Sequence, residues 1–216
     1  MNDRFRNLLS LGAAVATGAL LAAGPASAAS PAAPAAPATK TLANLQAAYN
    51  GESNAKAKYL ASAKKADEEG FGADASLFRA AARAEGVHAE SHARVIRKLG
   101  GEPVAKIETP AIASTKEALE AAIKGESYER DTMYPDFIAA ARADGQMDAV
   151  ETFSLAKTAE AEHAKLYQAA LGELKSGKSA AKKFYVCTVC GLTTTNLDFA
   201  KCRSCFQPKD KYVAVS

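Results

Sequence analysis

The sequence lacks tryptophan, a long uninterrupted apolar run, a concentrated basic segment and, before residue 187, cysteine. Its one sustained apolar stretch, residues 8–23, is shorter than the ~20 residues that a membrane-spanning helix needs. The 27 Lys and Arg residues are dispersed among 24 Asp and Glu, so the net charge of +3 does not indicate nucleic-acid binding, which would need a clustered basic face. Histidine occurs three times, and two of the three belong to one repeated motif.

The N-terminus has the order of a secretory signal peptide. Arg4 and Arg6 precede the apolar stretch, and Ala26-Ser27-Ala28 fits an A-x-A cleavage site. Residues 1–28 are therefore predicted to be removed on export, which leaves a periplasmic or otherwise exported protein without a membrane span; a membrane anchor is the alternative. The Ala- and Pro-rich residues 29–40 predict an extended tether, because Pro restricts its own backbone and that of its predecessor.

Two short motifs each occur twice at nearly the same separation. One is Gly-Glu-Ser, beginning at residues 51 and 125, and the other is Glu-x-x-His, beginning at residues 85 and 160. The glutamates of the two motifs are 33 residues apart in the first half and 34 in the second. The chain therefore reads as a duplicated helix pair. Its repeated residues are Glu52, Glu85, His88, Glu126, Glu160 and His163.

Four segments with the helical period of 3.6 residues carry these motifs between residues 41 and 176. Gly70 and Asp144-Gly145 predict tight turns within the two pairs, and the capping box Ser114-x-x-Glu117 opens the third helix after a longer crossover. Pro135 predicts a kink in that third helix. Short turns within pairs and one long crossover between them predict an all-α protein with a ferritin-like four-helix bundle.

The Glu and His residues of the motifs lie on the apolar stripes of their helices, so they are predicted to face the bundle centre. Glu129 joins them, with Ala55 at the corresponding place in the first helix. Five buried carboxylates would oppose folding unless cations neutralise them, and two divalent ions supply four positive charges. Carboxylate and imidazole ligands without thiolate favour iron or manganese over copper. The pattern therefore predicts a two-metal site.

The predicted roles are symmetrical, with one exception. Glu85 and Glu160 are predicted to bridge the two metals. Glu52 and Glu126 are predicted terminal ligands, and His88 and His163 are each predicted to bind one metal. Glu129 breaks the symmetry and could bind one metal in competition with His88. His92 is predicted to support the site or to pack rather than to bind metal. The hydroxyls of Tyr59 and Tyr134 could hydrogen-bond ligand carboxylates, and simple core packing is the alternative.

All four cysteines lie in the last 30 residues as two C-x-x-C pairs, namely Cys187, Cys190, Cys202 and Cys205. Paired motifs of this kind predict a tetrahedral site in which four thiolates hold iron or structural zinc. Two disulfides are the alternative, which the predicted export keeps open. Residues 184–216 are too few to fold by core burial alone, so the metal is predicted to stabilise this small domain.

Together these motifs resemble the rubrerythrin family, whose members join a ferritin-like di-iron bundle to a C-terminal rubredoxin-like domain. The resemblance covers residues 41–213 and includes the bundle ligands, Tyr134-Pro135 and both cysteine pairs. It implies two iron ions in the bundle, one iron in the four-cysteine site and reduction of hydrogen peroxide to water. It also implies that one iron shifts between His88 and Glu129. In the family, the four-cysteine site of one chain usually lies near the bundle site of its partner in a homodimer.

Two features depart from that family. Arg203 stands where the second cysteine pair of a rubredoxin-like domain usually has Pro. The predicted export signal separates the protein from cytoplasmic reductases, so its electron donor is unknown. An exported peroxidase is the leading hypothesis, with a ferroxidase or iron-handling protein, or a redox sensor with structural zinc, as alternatives. The four-cysteine domain favours the peroxidase, because ferroxidase work does not need an electron-transfer centre.

Overall fold

A computed structural model of the chain describes residues 40–108 and 111–216. The predicted export signal, and all but the last residue of the predicted tether, lie outside these ranges. Within them, no helix is both long enough and apolar enough to cross a membrane. A helical bundle is followed by a small three-stranded sheet, which confirms the predicted four-helix architecture with a small C-terminal domain.

The bundle consists of two helix pairs, and the helix after the crossover is continued by a second helical piece. Gly70 and Gly145, with φ of 84° and 69°, close the turn within each pair. Both adopt the left-handed conformation that suits a residue without a Cβ atom. The helices are α1 (Lys40–Glu69), α2 (Gly72–Lys98), α3 (Thr115–Tyr128), α4 (Tyr134–Ala143) and α5 (Met147–Glu173).

Side-chain hydrogen bonds fix the crossover between the pairs at its end and near its middle. Ser114 Oγ accepts a hydrogen bond of 3.2 Å from the backbone N–H of Glu117, as the capping box predicts. Earlier in the crossover, Asn50 and Asn54 of α1 bond the backbone of Lys106, at 2.8 Å each. Amide side chains one helical turn apart thereby hold an extended segment along α1.

The kink predicted at Pro135 is a π-helical segment, Glu129–Met133, between α3 and α4. Its wider turn shows in the backbone N–H of Tyr134, which donates to the carbonyl of Glu129 five residues earlier. Pro135 then lies in the first turn of α4, where a missing N–H costs little. The helix therefore continues past the proline by taking up extra backbone in one wide turn.

The C-terminal domain is an antiparallel sheet in the order β2-β1-β3. Its strands are β1 (Phe184–Cys187), β2 (Thr193–Thr194) and β3 (Tyr212–Val215). The segment that leads into it is bound to the α1–α2 turn: the Ser179 carbonyl accepts a hydrogen bond of 2.8 Å from Gly72 N–H, and Ser179 N–H donates one of 3.1 Å to the Gly70 carbonyl. The sheet domain is thus attached to the bundle of its own chain.

Two apolar clusters lie on either side of the bundle centre. The duplicated pairs supply matching aromatic residues to each cluster: Tyr59 and Phe78 lie in one, and Tyr134 and Phe153 lie in the other. All four side chains are almost completely buried. The polar residues between the clusters are therefore enclosed by hydrocarbon, which strengthens electrostatic interactions among them.

Candidate metal centres

Six of the predicted ligands converge at the bundle centre in two overlapping sets. Glu85 and Glu160 belong to both sets, and the ligand atoms of each set lie within 4.8 Å of one another. We call the set with Glu52 and His88 half-site 1, and the set with Glu126 and His163 half-site 2. The sharing of two carboxylates is the arrangement expected of a bridged pair of metals.

Both histidines direct the same ring nitrogen at the carboxylates. His88 Nδ1 lies 2.8 Å from Glu85 Oε2 and 3.0 Å from Glu160 Oε1. His163 Nδ1 lies 3.0 Å from Glu160 Oε2 and 3.5 Å from Glu126 Oε2. Nδ1 is therefore the nitrogen of each ring that is available to a metal at this centre.

The other ring nitrogens contact the C-terminal domain of the same chain. His88 Nε2 lies 3.1 Å from the carbonyl oxygen of Cys190, and His163 Nε2 lies 3.0 Å from Thr193 Oγ1. Thr193 donates its hydroxyl hydrogen to the Gly191 carbonyl, so its oxygen accepts from His163. Each Nε2 thus carries a hydrogen that is bound to the C-terminal domain, which leaves Nδ1 as the nitrogen that would bind a metal once it has lost its own hydrogen.

Gly191 is required where the two domains meet. Its φ is 76°, and a Cβ atom at this position would overlap the His88 ring. The contact of Gly191, Thr193 and the Cys190 carbonyl with the two histidines was not predicted from the sequence. His88 and Gly191 are about one hundred residues apart, so no local pattern predicts their contact. The glycine that directly follows Cys190 was the only sequence feature that pointed to a close approach there.

The donor set at the centre fits divalent metal ions. Several buried ligand atoms have no hydrogen-bond partner within residues 40–108 and 111–216, namely Glu52 Oε2, Glu85 Oε1, Glu126 Oε2, both carboxylate oxygens of Glu160 and His163 Nδ1. Unsatisfied buried carboxylates are costly, and cations at the centre would satisfy them. All are oxygen or imidazole nitrogen atoms, which suits iron or manganese.

The pKa values of the carboxylates express the same crowding. Burial, followed by the charge of Glu85, raises the pKa of Glu126 to about 7. Burial and the charges of Glu160 and Glu85 raise the pKa of Glu52 well above its usual range. Glu85 differs: burial opposes its ionisation, but hydrogen bonds and charge from the two histidines outweigh burial and lower its pKa to about 2.

Glu129 is the predicted ligand that lies outside both sets. It is half-buried at the start of the π-helical segment and lines a cavity of about 450 Å³ with Asn50, Lys58 and Lys106. Burial and the charges of Glu52 and Glu126 raise its pKa well above the usual range. The cavity that Glu129 lines also includes Gly51, the residue before Glu52 of half-site 1. Glu129 is thus near a metal position without belonging to the converged ligands.

Each terminal glutamate accepts a hydrogen bond from a tyrosine of the other helix pair. Tyr59 donates to Glu126 Oε1 at 2.5 Å, and Tyr134 donates to Glu52 Oε1. Seven residues separate Glu52 from Tyr59, but eight separate Glu126 from Tyr134. The wide π turn takes up the additional residue, so both tyrosines reach their glutamates.

His92 supports the site without joining the ligand sets. Its ring is completely buried, and Nε2 lies 3.1 Å from the Tyr134 hydroxyl. Burial and the charge of His88 lower the pKa of His92 to about 3, so the ring is neutral. The structure also reveals a partner absent from the sequence prediction, Thr152, whose Oγ1 lies 3.1 Å from His92 Nδ1.

The four cysteines form a second candidate metal centre. Their sulfur atoms lie within 4.8 Å of one another, and none forms a disulfide. The pairs Cys187–Cys205 and Cys190–Cys202 have Sγ–Sγ distances of 3.7 Å. A disulfide would need about 2.05 Å, whereas tetrahedral ligands on a metal at about 2.3 Å are separated by about 3.8 Å. The geometry therefore favours the predicted four-cysteine metal site over two disulfides.

Arg203, the residue that departs from the usual rubredoxin-like sequence, connects the cysteine domain to the bundle. Its guanidinium lies 2.6 Å from Glu162 Oε2 of α5. Because both groups are partly exposed to solvent, this ion pair contributes little to stability by itself. Its effect is to fix the second cysteine pair beside the helix that carries Glu160 and His163.

Comparison with known proteins supports the geometry. The sequence model of the rubrerythrin family matches residues 43–171. Nigerythrin of Nitratidesulfovibrio vulgaris is 40% identical over 175 residues, which cover 81% of this chain and 86% of the relative. Rubrerythrin-2 of Clostridium acetobutylicum is 35% identical over 172 residues, covering 79% and 94%. A structure of nigerythrin in its fully reduced, all-ferrous state has a TM-score of 0.74 at 39% identity, covering 81% of this chain and 86% of that one.

Proposed function

Because the chain belongs to the rubrerythrin family, we propose that it is a di-iron peroxidase that reduces hydrogen peroxide to water. The reaction consumes two electrons and two protons for each peroxide and releases two water molecules. The six converging residues would hold two iron ions, which when ferrous supply both electrons for cleavage of the O–O bond. Iron is favoured over manganese because the nigerythrin relative has been solved in an all-ferrous state.

The observation that carries this proposal is the hydrogen bond between His88 Nε2 and the Cys190 carbonyl. One imidazole and one peptide carbonyl separate the two candidate metal centres, and a second link runs from His163 through Thr193. A peroxidase must be re-reduced after every turnover. A four-cysteine redox centre in contact with ligands of the bundle metals could supply those electrons. A ferroxidase receives its electrons from the iron that it oxidises and needs no such centre.

The half-exposed Glu129 supports a route for the substrate. Hydrogen peroxide would approach through the cavity that Glu129 lines, whose wall includes the crossover held by Asn50 and Asn54. From its place beside Glu52, the Glu129 carboxylate can replace His88 as a ligand when the oxidation state of the iron changes. Tyr59 and Tyr134 would keep the terminal carboxylates oriented during that exchange.

Location and partners are part of the proposal. The predicted signal in residues 1–28 supports export to the periplasm or an equivalent compartment. The electron donor would then be an exported redox protein or a small reductant rather than NADH. A homodimer follows from the family resemblance, although the contacts between the two centres described above already lie within one chain.

The function can be tested with full-length protein loaded with iron and reduced without oxygen. Stopped-flow reoxidation by hydrogen peroxide should be much faster than reoxidation by dioxygen, and the spectrum of the ferric four-cysteine site should return as the bundle site is oxidised. Protein with zinc at the four cysteines is the matched control: its bundle should react once with peroxide but should not be re-reduced by an external donor. Faster reaction with dioxygen accompanied by Fe²⁺ turnover would indicate a ferroxidase. Native protein with zinc at the cysteines and no turnover would indicate a sensor.

A further inference from the structure

A chain of buried hydrogen bonds leads from the surface of the bundle to half-site 1. Thr152 Oγ1 lies 3.1 Å from His92 Nδ1, and His92 Nε2 lies 3.1 Å from the Tyr134 hydroxyl, which bonds Glu52 Oε1. Thr152 is 7% exposed, and the other three residues are fully buried. Four side chains from α5, α2, α4 and α1 are thus connected in series.

The direction of each hydrogen bond follows from the last one. Glu52, as a carboxylate ligand, can only accept, so Tyr134 donates its hydroxyl hydrogen to it. The Tyr134 oxygen must then accept from His92, which places the ring hydrogen on Nε2. Nδ1 is left as an acceptor, and Thr152 donates to it. All three donors therefore point towards Glu52, and bonds aligned in this way strengthen one another in a dry interior.

Within the described ranges, the duplicated half of the molecule has no equivalent of the His92–Thr152 pair. Counted from the Glu-x-x-His motifs, Tyr167 corresponds to His92, and Leu77 corresponds to Thr152. The Tyr167 ring packs on Tyr59 at a centroid distance of 5.5 Å, and Leu77 has no polar side-chain atom that could continue a chain to the surface. Tyr59, which bonds Glu126, therefore has no histidine and threonine behind it, whereas Tyr134, which bonds Glu52, has both.

The outer end of the chain opens into a groove rather than into the core. Thr152 lines a cavity of about 280 Å³ at the junction of α2, α5 and the cysteine domain. Arg94, Glu151 and Val189 are among the other residues of its wall. Thr152 therefore borders a surface cavity, whereas Glu52 is fully buried.

We propose that His92 and Thr152 are positioning residues for Glu52, which set the metal affinity of half-site 1 and leave half-site 2 unaffected. Thr152 donates to Nδ1 and so holds the His92 ring in place, His92 orients the Tyr134 hydroxyl, and that hydroxyl fixes the carboxylate towards the metal shared with His88. This inference deepens the proposed function, because it makes one of the two metal positions dependent on an additional set of residues. Its metal-binding content does not require peroxide chemistry.

The test is titration of the metal-stripped bundle with Mn²⁺, in full-length protein that retains zinc at the cysteines. His92→Phe should weaken one of the two Mn²⁺ sites by ~10–100-fold and leave the other unchanged, as is usual when an outer-shell partner is lost. His92→Gln keeps an N–H donor near the Nε2 position and should restore most of the affinity. Thr152→Val should have a smaller effect on the same site, and Thr152→Ser should have none.

Two controls separate positioning from general damage. Thr158→Val lies on the exposed face of the same helix and should leave both sites unchanged. In a Tyr134→Phe background, His92→Phe should cause no further loss, because the chain is already broken at its last bond. The proposal is overturned if the two substitutions cause additive losses of Mn²⁺ affinity, or if both Mn²⁺ sites weaken equally. It is also overturned if Thr152→Val and Thr158→Val behave identically. Helical circular dichroism identifies a variant that fails to fold, and Thr152→Val then decides the question.

The peroxide assay is run on the same variants, so the two proposals can fail separately. If the Mn²⁺ results hold and wild-type protein shows no peroxide preference, the proposed peroxidase function is wrong and the positioning role stands. If wild-type protein is a peroxidase and the Mn²⁺ sites respond equally, only the positioning role is refuted.

Discussion

Half-sites 1 and 2 arise from the same duplicated sequence, yet the residues that surround them differ. Both have a terminal glutamate, a histidine with Nδ1 turned inward and a tyrosine bonded to the glutamate. Half-site 1 also has the cavity that Glu129 and Gly51 line, next to Glu52, and the Thr152–His92 chain. The comparison shows that the repeat supplies a symmetrical ligand set, and that residues without a counterpart in the repeat make the surroundings of the two half-sites different.

The largest effect is expected when a ligand that both half-sites share is replaced. Glu160→Gln keeps the side-chain volume but removes a charge from both ligand sets, so both metal ions should be lost and peroxide reduction abolished. Metal analysis of purified protein measures this, with the exposed Glu151→Gln on the same helix as control. Retention of two tightly bound ions by Glu160→Gln would show that Glu160 does not bridge.

Removal of the metals should expose a pH dependence associated with half-site 2. The pKa of Glu126 in the metal-free fold is about 7, above its usual 4.5, so the folded state binds more protons than the unfolded state between these values. Stability of the stripped protein should therefore fall as pH rises from about 5 to about 8, by up to about 3 kcal/mol. Thermal unfolding at the two pH values tests this. Glu126→Gln should reduce the dependence without removing it, because the raised pKa values of Glu52 and Glu129 act in the same direction. An unchanged slope would contradict the assignment.

The cysteine domain offers a matched pair of substitutions that separates the half-sites. Gly191→Ala places a methyl group against His88, and Thr193→Val removes the acceptor for His163 Nε2. Each should weaken a different Mn²⁺ site by ~10–100-fold, because the orientation of one histidine is lost. The exposed Thr195→Val is the control. If both variants weaken the same site, the two histidines are not held independently.

The substitution with the smallest expected effect tests Glu129, the carboxylate that has no counterpart in the first helix. Glu129→Ala leaves all six converging ligands in place, so two irons should still bind in the reduced state. Reoxidation by peroxide should slow by roughly tenfold, because the alternative ligand for the iron beside His88 is lost while the other ligands remain. Reaction with dioxygen should change less. Stopped-flow absorption measures both rates, and Asp131→Ala, exposed in the same π-helical segment, is the control. A wild-type rate in Glu129→Ala would refute the ligand exchange.

Much of the fold and the convergence of the site could be predicted from local sequence. The helical period placed Glu52, Glu85 and Glu160 on apolar stripes, and the structure buries all three. Gly70 and the cap at Ser114 mark helix ends in the structure, as the sequence predicts. These ends could be predicted because capping depends only on neighbours a few residues away. The extra residue in the second half was visible in the spacing, but its accommodation in a π turn depends on packing between helices.

Sequence by itself determined the duplicated ligand set, the helices that carry it and the four clustered cysteines, because these follow from spacing along the chain and from the cost of burying charge. Only the tertiary structure decided which nitrogen of each histidine faces the centre, and how the two halves differ. Those outcomes depend on contacts between residues far apart in sequence, such as His88 with Cys190 and His92 with Thr152. A hydrogen bond between distant side chains is fixed by the packing of whole helices, which no local pattern records.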